Sequence, residues 1–389
     1  MKTKIYYLTR SYSPYQKGGG SLMRTGAVKY IQELGWNVTV IMPNYNSKVW
    51  NIDGNIIQIP FNYNLRIASY LERVGFYEDY LDKWVEEAFK YLKDNVKNED
   101  TIFTTSGGEL GMIKLGFLLQ KEIGCKFIIN FRDPLDYSLV NGLKLDNKFH
   151  VSREKQELKY LKNSNLIITS SKTNQKSLID KYPQFKDKIV NNYFGYIQQV
   201  ILNPKKKKTD LSIAYVGNMG TLQTPEILYD AYKRLENREN IKIYFIGDSK
   251  NYTPLKDIID KNIVFIDYLP HEEFLKFMND NIDVGFVSLT SDYLGACVPS
   301  KIYEYLNLGL PMIGALPDGD GMEIINSDGY GVACKYSDIN SISNAIDKFR
   351  SNSFLSSIRE NILKDRDSWS MKEKIKEVDK WLREVVDEN

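Results

Sequence analysis

The chain is poor in the residues that metal and redox chemistry depend on, with 3 cysteines and 2 histidines in 389 residues. Cys125, Cys297 and Cys334 form neither a CxxC pair nor a disulfide framework, which agrees with a reducing compartment. His150 and His271 lie far apart, so zinc catalysis or a double-histidine mechanism has little to build on. An excess of one charge is also missing. Lys plus Arg, 52, against Asp plus Glu, 50, leaves +2, and nothing in that balance calls for nucleic acid. No apolar run approaches the ~18 residues of a membrane span, and the opening run to Leu8 meets a polar loop too soon for a signal peptide. A cytoplasmic protein is expected. What is present is 42% hydrophobic content, which excludes a disordered chain, and a length that fits two domains at about 150 residues each.

The apolar patterning alternates between strand and helix. Lys4 to Leu8 reads as a strand, followed by a loop ending in Gly18-Gly19-Gly20 and a helix with Met23, Ala27, Tyr30, Ile31 and Leu34 on one face. Gly35 closes that helix, and Val38 to Met42 follows as a strand stopped by Pro43. Further strands are expected at 101–105, 126–130 and 166–169, with a helix near 110–123. After Asn203-Pro204 and the lysine run Lys205 to Lys208 the alternation restarts, with strands at 211–216, 241–246, 263–266, 284–289, 311–315 and 331–334. The spacing thus predicts two doubly wound α/β domains, residues 1–200 and 209–368, with a helix in 369–389 packing back. The four lysines fit a solvated linker, a phosphate patch or an anionic-lipid patch. In two parallel sheets, loops gather at the carboxyl ends of the strands, so the cleft facing both domains is the expected ligand site.

The most informative segment is Val298-Pro299-Ser300-Lys301-Ile302-Tyr303-Glu304-Tyr305-Leu306, ending at Gly309. It reads as a helix capped by Ser300, whose amino end and Lys301 together suit a diphosphate. Glu304 lies roughly 6 Å along that helix, in reach of ribose hydroxyls. The alternative is structural: Ser300 only caps, and Glu304 improves the helix dipole or pairs with Lys301. Gly217-Asn218-Met219-Gly220 follows a strand and admits a phosphate or sugar to the backbone, as does Gly18-Gly19-Gly20 in the first domain. Neither matches a dinucleotide or Walker pattern. Phe131-Arg132-Asp133-Pro134 places a cation and a carboxylate at a strand end, either as an anion holder and hydroxyl-orienting group or as a structural pair. Asp318-Gly319-Asp320-Gly321 fails the calcium-loop pattern and reads as a turn, and both histidines read as surface residues. Tyr63, Tyr70, Phe76, Tyr77, Tyr80 and Trp84 form either a membrane-facing or acceptor-binding surface or part of the core.

Together these residues resemble the retaining nucleotide-sugar glycosyltransferases of family four, which have the GT-B fold. The resemblance rests on Gly18-Gly19-Gly20, Phe131-Arg132-Asp133-Pro134, Tyr215 to Gly220 and above all Pro299-Ser300-Lys301 with Glu304-Tyr305. It implies two Rossmann-like domains, an acceptor-binding one and a donor-binding one, with a last helix crossing back to the first. It implies that Pro299, Ser300 and Lys301 lie near the donor diphosphate, that Glu304 binds the ribose, and that the Gly217, Asn218 and Gly220 loop meets donor phosphate. Tyr268 and Leu269 look like part of a nucleobase pocket, and Gly18 to Gly20 complete the donor contacts. Arg132, Asp133 and Lys301 are the catalytic candidates. The family often carries a second glutamate eight positions before Glu304, where this chain has Ala296, and a basic pair near Asn218. Both departures occur in a subset of bacterial polysaccharide-assembly enzymes with a PSK-x-x-EY helix, many of which use UDP-sugars.

The expected activity is transfer of a sugar from a UDP-linked donor to a hydroxyl of a growing cell-surface glycan or glycolipid, with retention and without metal or other cofactor. Lipopolysaccharide and capsule assembly are the settings that suit it. The partners are the nucleotide sugar, the acceptor and the inner face of the membrane, and no nucleic acid. Two rivals stand beside it: a GT-B-like epimerase or phosphorylase, and a two-domain ligand-binding module without chemistry.

Overall fold

The computed structural model describes residues 3–387 apart from 17, 46, 136–138, 141–142, 145–150, 204–209 and 249–251. His150 and the lysine run Lys205 to Lys208 lie outside the described residues. The chain divides into two compact α/β units, Met1–Phe194 with Met371–Asn389, and Gly195–Ser370.

In the first unit the strands are β1 (Lys4–Leu8), β2 (Asn37–Asn44), β3 (Asn51–Asp53), β4 (Ile56–Pro60), β5 (Thr101–Gly107), β6 (Lys126–Asp133), a short hairpin β7 (Leu139–Val140) and β8 (Leu143–Lys144), β9 (Leu166–Thr169) and β10 (Ile189–Asn191). They form an eight-stranded sheet in the order β10-β9-β6-β5-β1-β2-β4-β3, the hairpin apart. Only the edge strand β3 runs antiparallel, to β4. Ile5, Leu8, Ile102, Phe127, Ile128 and Ile129 are fully buried, as strands covered on both faces require. Helix Gly19–Glu33 follows β1 and buries Met23, Ala27, Val28, Tyr30 and Ile31.

Two strands depart from the sequence expectation. Pro43 does not stop β2, which continues to Asn44. Ile41 O accepts from Thr9 N on the β1 side, whereas Val40 N and Asn44 O bond toward β4, so Pro43 turns its missing N–H to the side where β1 has already ended. Strand β6 runs past Asn130 through Asp133, and its pairing with β5 slips between Ser106 and Gly107. Arg132 is the extra residue of that bulge, a device that re-aims a side chain at a strand end.

The last helix, Met371–Asp387, belongs to the first unit. Its buried side, Met371, Ile375, Val378, Leu382 and Val385, packs on the Gly19–Glu33 helix, and Trp36 Nε1 donates to Asp379 Oδ1 at 2.6 Å.

The second unit carries β11 (Leu211–Val216), β12 (Ile241–Ile246), β13 (Ile263–Ile266), β14 (Val284–Ser288), β15 (Met312–Leu316) and β16 (Gly331–Lys335). All are parallel, in the order β13-β12-β11-β14-β15-β16. The order reverses direction at β11 and β14, the place where loops leaving neighbouring strands diverge and open a crevice. Arg366, little exposed, donates to Val200 O and to Asn307 Oδ1 at 3.2 Å, fastening the end of this unit to its start.

Candidate functional site

In the second unit the loop after β11 meets the first turn of helix Ser300–Asn307. Pro299, not Ser300, holds the cap position, and no side chain caps the helix. Pro299 has the extended backbone that precedes a helix, which makes Ser300 the first helical residue and leaves its hydroxyl free of capping duty. Gly309, with φ +59°, lies just past the far end, where a left-handed residue stops a helix.

Lys301 Nζ donates to Tyr215 Oη at 3.1 Å and lies 4.3 Å from the centre of that ring. Tyr215 Oη in turn donates to Asn218 O. Burial lowers the Lys301 ammonium to about 8, and among the described residues no carboxylate pairs with it. Glu304, one turn on, is raised to about 7 by burial, which a hydrogen bond with Asn307 partly opposes. Its Oε2 is buried and has no hydrogen-bond partner among the described residues. The two residues do not pair with each other, so neither a Ser300 side-chain cap nor a Glu304–Lys301 ion pair accounts for this helix. The arrangement leaves an ammonium in need of an anion and a carboxylate oxygen in need of a donor.

Packing holds this turn in place. Tyr305 is fully buried, and its ring occupies the space that Gly285 leaves: a Cβ there would stand 2.4 Å from the ring. Tyr305 Oη donates to Phe286 O at 3.2 Å, tying the helix to β14. Gly217 takes φ +104°, and a Cβ on it would come 3.2 Å from Lys301 Cε, so glycine serves both the turn and the lysine. The β11 and β12 ends also converge, since a Cβ on Gly247 would lie 2.4 Å from Gly217 O.

The other expected residues of this unit are spread more widely. Gly220 lies at the turn where Gln223 N and Thr224 N donate back to its carbonyl. Tyr268 follows β13 and is 73% exposed, with Leu269 half-buried beside it. Ala296 ends a short turn, Asp292–Ala296, and no carboxylate stands in its place. In the Asp318 to Gly321 segment, Asp318 pairs with Lys335 at 2.8 Å, Asp320 is buried, and Gly319 abuts the backbone of Gly295, as a tight turn requires. His271 opens helix His271–Asn281 and is half-buried, its imidazole shifted down by desolvation, which corrects the surface reading.

In the first unit Gly18 caps helix Gly19–Glu33 with φ 110°, and Gly20 faces Arg132: a Cβ there would lie 2.2 Å from Arg132 Nη1. Arg132 pairs with Asp133 at 3.6 Å. Around them stand three residues that the sequence reading missed. Arg24, 1% exposed, donates to Ser11 Oγ at 2.6 Å and lies 3.6 Å from Glu109. Glu109 also pairs with Arg10 at 3.4 Å and accepts from Gly107 N at 2.7 Å. Desolvation, with the nearby Arg132 adding to it, lowers Arg24 to about 10. Among the described residues, the three guanidiniums of Arg10, Arg24 and Arg132 outnumber the two carboxylates of Glu109 and Asp133 in this group, which favours an anionic or hydroxyl-rich ligand. Arg24 and Glu109 looked like helix and loop residues of no special spacing; only the fold brings them together. Tyr215 left a weak trace, as a phenol at the end of an otherwise apolar strand.

Residues 198–367 match the sequence family described as Glycosyl transferases group 1. No curated protein matches the chain in sequence. Solved structures share its fold along the whole length. A lipopolysaccharide outer core galactosyltransferase, WaaB, superposes with a TM-score of 0.69 at 13% identity, over 98% of this chain and 99% of its own. Anabaena HepE in complex with UDP and glucose gives 0.67 at 12% identity, over 98% and 100%. A Rickettsia africae glycosyltransferase gives 0.69 at 16% identity, over all of both chains. The architecture is therefore the GT-B fold of glycosyltransferases, two α/β units built on parallel sheets.

Proposed function

We propose that the protein is a retaining glycosyltransferase that moves a sugar from a UDP-linked donor to a hydroxyl of a cell-surface glycan or glycolipid, without metal. The observation that carries this reading is the pair Lys301 and Glu304: one helical turn presents a cation and a carboxylate oxygen that, among the described residues, have no counter-charge and no donor. A nucleoside diphosphate completes both, its diphosphate on Lys301 and the helix amides and its ribose hydroxyls on Glu304. Gly217, Asn218 and Gly220 then face donor phosphate, and Tyr268 with Leu269 offer a surface for the base. The family match over residues 198–367 and the UDP-bound Anabaena relative support the same assignment.

The transfer keeps configuration if the acceptor oxygen bonds to the anomeric carbon on the face from which the diphosphate oxygen departs. The leaving diphosphate takes the acceptor proton, and Lys301 and the helix amides stabilise its charge. Gly18 to Gly20, Arg132 and Asp133 position the sugar or acceptor in this scheme. Lipopolysaccharide or capsule assembly at the inner face of a membrane is the setting that suits such a glycolipid acceptor.

Calorimetry with UDP, GDP and orthophosphate tests the donor assignment. Strong preference for UDP is expected, with Lys301→Ala and Glu304→Ala each weakening binding at least tenfold. Indifference among the three would overturn it in favour of a binding module. Release of UDP only when acceptor sugar is present separates transfer from epimerase or phosphorylase chemistry.

A further inference from the structure

Among the described residues no helix is long and apolar enough to cross a membrane. The first unit nevertheless exposes large apolar side chains in one short stretch. The aromatic residues of segment 63–84 range from buried to exposed, with Tyr63, Tyr77 and Tyr80 between the extremes. Trp84 is fully buried and donates from Nε1 to Ile59 O at 3.1 Å, and Tyr63 is engaged with Glu87 at 2.7 Å. Tyr70 and Phe76 instead stand 61% and 80% exposed.

Helix Leu65–Arg73 explains the split. Asn64 caps it, its Oδ1 accepting from Arg66 N at 2.9 Å. Ala68 and Glu72 are its buried residues, so its single acid turns inward. At 100° per residue Arg73, Arg66, Tyr70, Val74 and Ile67 fall in sequence across the opposite side, and Phe76 follows in the turn after Gly75. Arg66 and Arg73 are exposed, and among the described residues neither pairs with an acid. The acids that follow in the chain are engaged elsewhere: Glu78 and Asp82 with Lys114, Glu86 with Lys83.

We propose that this face, Ile67, Tyr70 and Phe76 bordered by Arg66 and Arg73, docks on an anionic lipid bilayer. Apolar side chains that stay in water are costly when clustered, and within residues 65–76 Ile67, Tyr70 and Phe76 are exposed while the only exposed charges of that stretch are Arg66 and Arg73. A bilayer surface satisfies both kinds of group at once. Ile67 and Phe76 enter the acyl boundary, the Tyr70 hydroxyl rests among headgroups, and the guanidiniums reach lipid phosphates on their flexible stems. A second copy of the chain fits poorly, because a two-fold contact through this face sets Arg66 and Arg73 against their own equivalents without an acid between them.

Sedimentation of the full chain with vesicles tests the proposal, using phosphatidylcholine alone and phosphatidylcholine mixed with phosphatidylglycerol at two salt concentrations. Binding is expected only to the mixed vesicles and to weaken with salt. Arg66→Gln with Arg73→Gln should weaken it by a factor of about 25, from roughly 5-fold per charge. Tyr70→Ser with Phe76→Ser should weaken it at least tenfold, with thermal unfolding unchanged for these surface sites. Absence of binding, or equal binding by the variants, overturns the proposal, and so does a concentration-dependent mass increase that the Tyr70 and Phe76 changes abolish. UDP calorimetry on the same samples keeps the two readings apart: lost UDP binding with retained vesicle binding defeats only the donor assignment.

Discussion

Lys301 Nζ rests 3.1 Å from Tyr215 Oη, and that phenol donates its own hydrogen bond to Asn218 O. The lysine is thereby aimed at the loop after β11 by a neutral partner. A neutral partner fixes direction without cancelling charge, so the ammonium keeps its attraction for an incoming anion.

That arrangement predicts a two-sided pH profile for donor binding. Glu304, raised to about 7 in the free protein, must lose its proton to accept ribose hydroxyls, so affinity should climb as pH rises through 7. Lys301, lowered to about 8, must hold its proton, so affinity should fall above about 8. Calorimetry with UDP-glucose, whose diphosphate does not titrate in this range, should show an optimum between the two. Glu304→Gln should erase the acid limb and Lys301→Met the alkaline one; a flat profile in the unaltered protein would remove both residues from the site.

Glu304 also carries a stability cost. Its carboxyl ionises near its ordinary value in the unfolded chain and only at about 7 in the folded one, so the unliganded protein loses stability as pH rises from about 4.5 to 7. Glu304→Gln should therefore raise the unfolding temperature at pH 8, by about 1 kcal/mol in stability, and change little at pH 4. Thermal scans at the two pH values measure the difference, and a variant less stable at pH 8 would contradict the account.

Gly285→Ala places a methyl group 2.4 Å from the Tyr305 ring, which is rigid and enclosed. A loss of ~1–3 kcal/mol is expected in urea denaturation, together with weaker UDP binding as the helix shifts. Tyr305→Phe, which loses the hydroxyl's bonds to Phe286 O and Ala214 O, should cost about 1 kcal/mol.

In the first unit, Glu109→Gln strips the counter-charge from buried Arg24 and should destabilise by ~3 kcal/mol. Adding Arg24→Met should recover part of that loss, because the uncompensated guanidinium is then gone. A double-mutant cycle by urea denaturation reads the coupling, and strict additivity would show that the two charges do not interact.

The apolar strands were readable in the sequence because parallel strands covered on both faces must be continuous apolar runs, as in Val284–Ser288 and Met312–Leu316. The edge pair β3 and β4 was not, since Asn51–Asp53 is exposed and Ile56–Pro60 carries a buried glutamine and a proline. The Ser300 to Glu304 turn was legible through its spacing, but not the shift of the cap to Pro299, which depends on backbone angles. Least legible were Arg10, Arg24 and Glu109, charges with no local pattern whose meeting depends on the order of β1, β5 and β6. The bulge at Arg132 belongs to the same class: a pairing slip leaves no trace in composition.

The first unit is finished by a helix encoded after the whole of the second unit. While the chain is being synthesised, residues 1–194 emerge with Ala27 and Ile31 still bare, and they stay so until residues 371–387 have been made. The second unit, continuous in sequence, can reach its native packing earlier. The lobe translated first is therefore the lobe completed last, and a ribosome paused before residue 371 holds a chain whose opening half still lacks its lid.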